Sequence, residues 1–474
     1  MTLRLLRWVS LSENLDTNIR LLIKTGRGHL PAAFFLYIRD MKRLINNIFI
    51  IAALSLCTCG CVSAQTSGKQ TGPEGAVRTV QEPVHTGIEV LRQRGFDVLR
   101  GKTVGLLTNP SGVDSRLRST IDILFNAPDV TLVALFAPEH GVRGDVYAGG
   151  KVSGSKDETT GLPVHSLYGS TRTPTADMLK GLDAVVYDIQ DVGTRSYTFI
   201  SSLGLLMRSC AEQGIEVIVL DRPNPLGGEK VEGCVVETGY HSFISEFKIP
   251  YVYGLTVGEL ARLINEEGLN CGEKGDKAPL KCRLTVVPMQ GWERSMTFLD
   301  TGLPWVLPSP NIPYPQSAVD YPCAGITGEL GYVNIGVGYT LPFETFAAEW
   351  IDADKLKSRL ESYSIPGVNF RTIHYKPTSG ADSGKLLHGV QYYFTDYSKA
   401  DLTLTQFWVM QALHELYPEH NPFALDKNSS FDRVCGTDYV RKAFESSFKV
   451  SDIRPYWFKD AENFKSLSEK YYLY

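Results

Sequence analysis

Glu139, His140 and Arg143 fall within the run Leu-Phe-Ala-Pro-Glu-His-Gly-Val-Arg-Gly, residues 135–144, where an apolar stretch stops at Pro138. A carboxyl, an imidazole and a guanidinium delivered at the end of a strand are the parts needed to move a proton and hold an anion. Three other apolar runs end alike: Thr-Asn-Pro-Ser-Gly at 108–112, Asp-Ile-Gln-Asp-Val-Gly-Thr-Arg at 188–195 and Asp-Arg-Pro-Asn-Pro at 221–225. In a parallel sheet such ends share one edge, so the four clusters can meet around one crevice. Glycoside cleavage needs a proton donor to the leaving oxygen and a second group that stabilises the sugar cation or activates water, commonly two carboxyls ~5 to 9.5 Å apart. Glu139, Asp188, Asp191 and Asp221 are candidates, although Asp221 also suits a turn and Asp191 a helix N-terminus. Arg143 and Arg195 can clasp a carboxylate with two N–H groups, or pair with the neighbouring aspartates. His140 can shuttle a proton or join Asp188 and Asp191 around a metal, but no second histidine stands at a ligand-like spacing. Tyr168, Trp305 and Tyr314 can offer faces on which a sugar stacks.

The elements that must position these groups alternate regularly. Strands are predicted at 102–108, 130–136, 162–167, 184–188, 216–220 and 284–287, with helices at 116–126, 175–180, 196–213 and 257–267. Strand and helix in alternation at this spacing give an α/β fold: a Rossmann-like, doubly wound, mostly parallel sheet. Five prolines between Pro304 and Pro315 interrupt the pattern, and neither a helix interior nor a central strand tolerates them. The expected domains are therefore a catalytic one at 85–312 and a smaller α/β or α+β C-terminal one at 313–474. In the latter, strands are predicted at 331–339, 369–375 and 389–394, and helices at 353–363, 404–416 and 438–444.

Net charge is only −4, with no block of like charge, which argues against nucleic acid and against a polybasic membrane surface. No phosphate-binding loop or dinucleotide fingerprint is present, so no cofactor is expected. Met41-Lys42-Arg43, the apolar stretch 48–57 and Val-Ser-Ala at 62–64 have the form of a secretory signal. Residues 41–64 are read as that signal, 1–40 as a misassigned start and 65–84 as a flexible leader. A periplasmic or secreted protein is expected, held at a membrane only if lipidated at Cys61. Cys271 and Cys282 flank a polar loop that a disulfide could staple, while Cys210, Cys234, Cys323 and Cys435 are scattered without the pairing that structural zinc requires.

Six ordered strings resemble those of the NamZ-type exo-β-N-acetylmuramidases: Leu-Thr-Asn-Pro-Ser-Gly (107–112), Phe-Ala-Pro-Glu-His-Gly-Val-Arg-Gly (136–144), Ser-Leu-Tyr-Gly (166–169), Asp-Ile-Gln-Asp-Val-Gly-Thr-Arg (188–195), Asp-Arg-Pro-Asn-Pro (221–225) and Pro-Ser-Pro-Asn-Ile-Pro (308–313). The resemblance runs from about residue 85 to the C-terminus. It implies a Rossmann-like catalytic domain, a smaller C-terminal domain, and removal of β-linked N-acetylmuramic acid from the non-reducing end of peptidoglycan fragments. The family's proposed catalytic glutamate matches Glu139. One departure stands before the Pro-Phe-Glu of 342–344, where the family commonly carries Ser-Glu-Gly-Arg-Gly-Thr-Thr. Here the stretch is Asn-Ile-Gly-Val-Gly-Tyr-Thr, with Ile335 and Val337 in place of the glutamate and arginine. A different sugar, linkage or peptide preference follows if those charges touch substrate.

The combined expectation is a glycoside hydrolase of cell-wall turnover acting on a peptidoglycan-derived saccharide or muropeptide. Glu139 is its acid or acid/base, Asp188 its partner, and Asp191 and His140 tune the pair. Asn109, Arg143, Tyr168, Arg195, Asp221 and Asn224 bind substrate, with the lactyl carboxylate of the sugar assigned by chemistry to Arg143 or Arg195. The rivals are a metal-dependent hydrolase at the same cleft and a protein that captures muropeptides without cleaving them.

Overall fold

Short runs of aliphatic and β-branched residues build one sheet in the computed structural model, which describes residues 83–144, 155–169, 171–268 and 280–474. Its strands are β1 (Thr103–Thr108), β2 (Thr131–Ala137), β3 (Ser155–Lys156), β4 (Pro163–Ser166), β5 (Ala184–Asp188), β6 (Glu216–Leu220) and β7 (Arg283–Val287). Their order is β3-β4-β2-β1-β5-β6-β7, parallel except for the edge strand β3. From β1 the chain steps outward through β2 to β4, then crosses to β5 on the other side and continues to β7. This is the doubly wound arrangement expected, with its switch point between β1 and β5.

Helices α1 (Gly87–Gln93), α2 (Thr120–Phe125), α3 (Ala176–Leu179), α4 (Phe199–Gln213) and α5 (Val257–Glu267) cover the sheet. Alternation along the strands divides the core into two layers. Val104, Leu106, Val186 and Ile218 pack with Ile88, Leu91, Ile121 and Leu124 on one side, and Leu107, Val185, Tyr187 and Val217 with Phe199, Leu203, Leu206 and Leu260 on the other. Helix α2 starts later than the sequence pattern suggests. The Asp114 carboxylate accepts from the backbone N–H groups of Arg116 and Arg118, Leu117 turns at φ +62°, and only then does Ser119 cap the helix.

The remaining elements are α6 (Pro315–Leu330), β8 (Thr345–Ala348), α7 (Ala353–Ser362), β9 (Val368–Tyr375), β10 (Leu387–Phe394), α8 (Thr405–Leu416), α9 (Asn428–Cys435), α10 (Tyr439–Ser447), α11 (Val450–Trp457) and α12 (Ala461–Ser468). A three-stranded antiparallel sheet runs β8-β10-β9. Helix α6 was not foreseen, and the strand predicted at 331–339 is a loop. Gly336 and Gly338 adopt φ of +85° and +87° there, and a Cβ on Gly336 would sit 1.9 Å from the Leu341 carbonyl oxygen.

Residues on both sides of position 312 share one core, in which Val192, Leu226 and Tyr251 join Ile312, Phe346, Phe407 and Trp457. Ala461, Phe464 and Tyr471 return to the layer containing α4 and α5, and the Tyr474 hydroxyl donates to Asp221 at 2.8 Å. The described residues from 83 to 474 form one compact unit. Cys282 is a buried free thiol in this unit, not half of a bridge, and Asn265 brackets its backbone. Cys271, the signal, the lipidation alternative at Cys61 and the leader up to residue 82 lie outside the described residues. Among those described, no helix is long and apolar enough to cross a membrane.

Candidate active site

Strand β2 ends at Ala137, Pro138 stops its ladder, and the chain turns through Glu139 and His140, the latter at φ +76°. A non-glycine held in the left-handed region costs about 1 to 3 kcal/mol and persists only where the surroundings impose it. Half-buried Glu139 accepts a hydrogen bond from the phenol of Tyr168, which follows the neighbouring β4. Burial, and then Glu139, push Tyr168 up to about 12. His140 is buried beside this pair in sequence.

A second acid comes from the end of β5. Asp191 is 5% exposed; its Oδ2 accepts from the Gly193 N–H at 2.8 Å and from the Tyr253 phenol, and its Oδ1 has no partner. Burial pushes Asp191 up to about 6, against the opposing pull of Tyr253 and Gly193. A buried carboxyl that titrates near neutrality suits proton transfer. The charges of Glu139 and Asp191 both reach Tyr197 and Tyr321, so the two acids share one tyrosine cluster. Tyr321, on α6, meets Ser196 Oγ at 3.0 Å and packs edge-on against Tyr197 and Phe343, with centroids at 5.4 and 4.9 Å. The buried Tyr197 hydroxyl faces Ser309 without completing a hydrogen bond.

Most other candidates are committed elsewhere. Fully buried Asp188 accepts from Arg222 Nε at 2.5 Å and Nη2 at 2.9 Å, and from the Thr120 hydroxyl. Both of its oxygens are taken, which removes it as the partner expected for Glu139 and from the metal-ligand set with His140 and Asp191. Arg195, equally buried, donates to the carbonyls of Ile249 at 2.7 Å and of Cys234, Val434 and Cys435 at 2.9 Å. It fastens the loop after β5 to the C-terminal end of α9, where a cation complements the helix dipole, and has no free edge for a substrate carboxylate. Arg143 pairs with Asp157 at 2.5 Å and Asp122 at 2.9 Å, and the guanidinium is the main cause holding Asp157 down at about 2.

Asp221 accepts from Gly258 N–H, the Thr256 hydroxyl, Arg222 N–H and Tyr474, organising the start of α5. Burial pushes it up to about 6. Asn224 accepts from Leu226 N–H and donates to the Leu255 carbonyl, which shapes a turn. Asn109 accepts from Ser111 and donates to the Pro308 carbonyl at 3.1 Å, so it straps the proline-rich segment over the end of β1. Trp305 belongs to that strap, its Nε1 donating to the Ile312 carbonyl, whereas Tyr314 is 61% exposed. Beneath the strap, a hollow lined by Ser111, Gln190, Arg222 and Trp305 keeps about 10 Å³, room for about one water. The switch-point crevice, the usual ligand site of such sheets, is thus narrowed by the strap. Ile335 is buried in the C-terminal core and Val337 half-buried.

Residues 104–316 match the family described as exo-beta-N-acetylmuramidase NamZ, N-terminal, and residues 319–474 its C-terminal counterpart. The chain belongs to the NamZ family. Peptidoglycan beta-N-acetylmuramidase NamZ of Bacillus subtilis (strain 168) is 43% identical over 403 residues, covering 85% of this chain and 94% of that protein. Two crystal structures of DUF1343 family proteins from Bacteroides fragilis NCTC 9343 share the fold. One has 51% identity and a TM-score of 0.78 over 83% of this chain and 99% of its own, the other 29% and 0.65 over 82% and 99%.

In this NamZ-family chain the structure therefore gathers Glu139, Tyr168 and Asp191, and sets Asp188, Arg143, Arg195, Asp221, Asn109 and Asn224 to holding the scaffold. Sequence reasoning missed Tyr197, Tyr253 and Tyr321. Tyr197 stands two residues after Arg195 and was within reach of the motif. Tyr253 and Tyr321 come from remote segments that carry no pattern of their own.

Proposed function

We propose that this chain is an exo-acting glycoside hydrolase that releases N-acetylmuramic acid from the non-reducing end of peptidoglycan fragments. The observation that carries the reading is the pair of acids, Glu139 held by Tyr168 and buried Asp191, whose charges both act on Tyr197 and Tyr321 in a NamZ-family chain. Glu139 is the group to protonate the leaving glycosidic oxygen. Asp191, raised by burial, is the second group, either stabilising the sugar cation or handling the proton of the attacking water. It takes the place first expected for Asp188. Tyr253 orients Asp191 as Tyr168 orients Glu139. Because peptidoglycan lies outside the cytoplasmic membrane, the secretory signal read over 41–64 and a periplasmic or secreted location belong to the same proposal.

The test is incubation with the disaccharide of N-acetylmuramic acid β-linked to N-acetylglucosamine, followed by NMR of the first sugar released. Free N-acetylmuramic acid is expected, and the configuration of its anomeric centre separates inversion from retention. An intact disaccharide that nonetheless binds would replace the hydrolase reading with muropeptide capture.

A further inference from the structure

A hollow of about 240 Å³ lies where four segments meet: the loop after β6 at Pro225, residues 297–299 ahead of the strap, the first turns of α6, and the end of β10 with the loop that follows it. Its walls are held from within the molecule. The Phe298 N–H donates to the Pro225 carbonyl at 3.2 Å, the Tyr397 hydroxyl donates to the Leu226 carbonyl at 2.9 Å, and Phe394 meets Tyr397 edge-on with centroids 6.1 Å apart. One helix borders both this hollow and the tyrosine cluster. Helix α6 gives Gln316 and Val319 to the hollow and Tyr321 to the cluster, so a helix diameter, ~10 Å, separates the two places.

The lining reads as a site for a neutral amino sugar. Three aromatic rings, Phe298, Phe394 and Tyr397, with the aliphatic Pro225 and Val319, suit the apolar faces of a pyranose. Two polar side chains complete it. Gln316 donates one N–H to Asp320 at 3.3 Å and keeps its carbonyl and second N–H, the two groups that match an acetamido substituent. The Thr297 hydroxyl donates to Asp300 and keeps its acceptor capacity. None of the described residues lining the hollow is charged. Burial pushes Asp320, behind Gln316, well above the ordinary carboxylate range. Lys230, over the Tyr397 ring at 4.8 Å, donates to the Ala400 carbonyl and does not line the hollow. Such a place disfavours an ionised group far more than a neutral one. Of the two amino sugars of peptidoglycan, N-acetylmuramic acid carries a carboxylate and N-acetylglucosamine does not. The volume falls short of the ~300 Å³ at which sites for drug-sized ligands begin, so one ring is the appropriate occupant.

We propose that this hollow is a second saccharide site, which holds an N-acetylglucosamine residue of the fragment whose terminal sugar is at Glu139. The acetamido group pairs with Gln316 and the ring packs on the aromatic wall. The choice of polymer rests on the muramidase reading above, whereas the binding does not depend on catalysis. The site adds affinity for longer fragments, so its signature is in their KM and not in kcat.

The experiment titrates methyl β-N-acetylglucosaminide by ligand-observed NMR into wild type, Val319→Trp, which fills the hollow, and Gln316→Ala, at an exposed position of its rim. Cyclohexanol serves as an apolar ring of similar size. Saturable binding of the glycoside to wild type is expected, lost in Val319→Trp and weakened about 2- to 10-fold in Gln316→Ala, the loss expected for one neutral hydrogen bond. All three proteins should turn over a chromogenic β-N-acetylmuraminide alike, while both variants show a raised KM on longer glycan fragments. No binding to wild type, equal binding to wild type and Val319→Trp, or displacement of the glycoside by a lower concentration of cyclohexanol overturns the site. Should Val319→Trp fail to fold, undiminished affinity in Gln316→Ala overturns it alone. If wild type binds the glycoside in the hollow but turns over no muraminide, the muramidase reading fails and the saccharide site stands.

Discussion

Replacing Asp188 by Asn separates the roles of the two aspartates that follow β5. Asp188 is 0% and Arg222 5% exposed, and the carboxylate takes Arg222 through both Nε at 2.5 Å and Nη2 at 2.9 Å. An amide of the same size removes the charge and turns an N–H₂ group toward a guanidinium donor. Arg222 then stays buried with the Val113 carbonyl, at 2.8 Å, as its remaining acceptor outside the pair. Breaking one side of a buried ion pair costs about 3 to 5 kcal/mol, and the acceptor oxygen kept by the amide puts this case near the lower end. At about 2 °C per kcal/mol for a large domain, the transition should fall by about 6 °C. Turnover per folded molecule, measured well below the transition on a chromogenic muraminide, should stay close to wild type. Asp191→Asn should do the reverse. It has no ion partner, so the transition should hardly move while turnover falls ~10²-fold or more, as for a lost acid/base group. A stable but inactive Asp188→Asn would refute this division and make Asp188 the chemical acid.

Three other outcomes follow from the same contacts. Asp191 and Asp221 are both raised to about 6 by burial, so the folded chain holds their protons more tightly than the unfolded one; their contribution is fully present below the unfolded carboxyl range and is lost as pH rises through about 6. Asp157, held down at about 2, acts oppositely and loses its contribution only as pH falls toward that value. Asp191 and Asp221 thus raise the transition temperature as pH falls from 7.5 to 5.5, whereas His165, His241 and His414, held below the ordinary imidazole range by burial, lower it; wild type compared with Asp221→Asn isolates the aspartate's share, and an unchanged pH slope in the variant contradicts the assignment. Arg195→Met leaves four buried carbonyls without their donor, at about 1 to 3 kcal/mol each, so soluble yield should collapse. A stable Arg195→Met with raised KM would return Arg195 to substrate binding. Tyr197→Phe removes a hydroxyl that has no partner, so thermal stability should hold or improve while affinity for the muraminide weakens; a clear loss of stability would mean that Tyr197 is bonded within the protein.

Much of the sheet was legible because a central parallel strand must be apolar on both faces, and 184–188 and 216–220 are continuous runs of that kind. Helix α6 was not, for two reasons. Its proline-rich approach and Pro322 argue against a helix, and Ala318, Cys323, Ala324 and Ile326 are buried around it, so no polar face reveals the period. The site was legible as a set of residue types on one edge, and Glu139 stood out for the same reason. What the pattern did not carry was direction. Asp188 and Asp191 are three residues apart, yet one is the last strand residue, turned to Thr120 and Arg222, and the other lies in the loop beyond. The bonding of Arg195 depends on carbonyls up to 240 residues away, which no local spacing encodes. Tyr321 arrives on α6, 125 residues from its partner Ser196.

The most direct test of the central claim is the rate at which Glu139→Gln releases N-acetylmuramic acid from the β-linked disaccharide, set beside its affinity for the same molecule. Glutamine can still accept the Tyr168 hydrogen bond but has no proton to give. The account predicts affinity near wild type with turnover lowered ~10²-fold or more. Turnover near wild type would show that the proton comes from another group, and the active centre drawn around Glu139 would have to be abandoned.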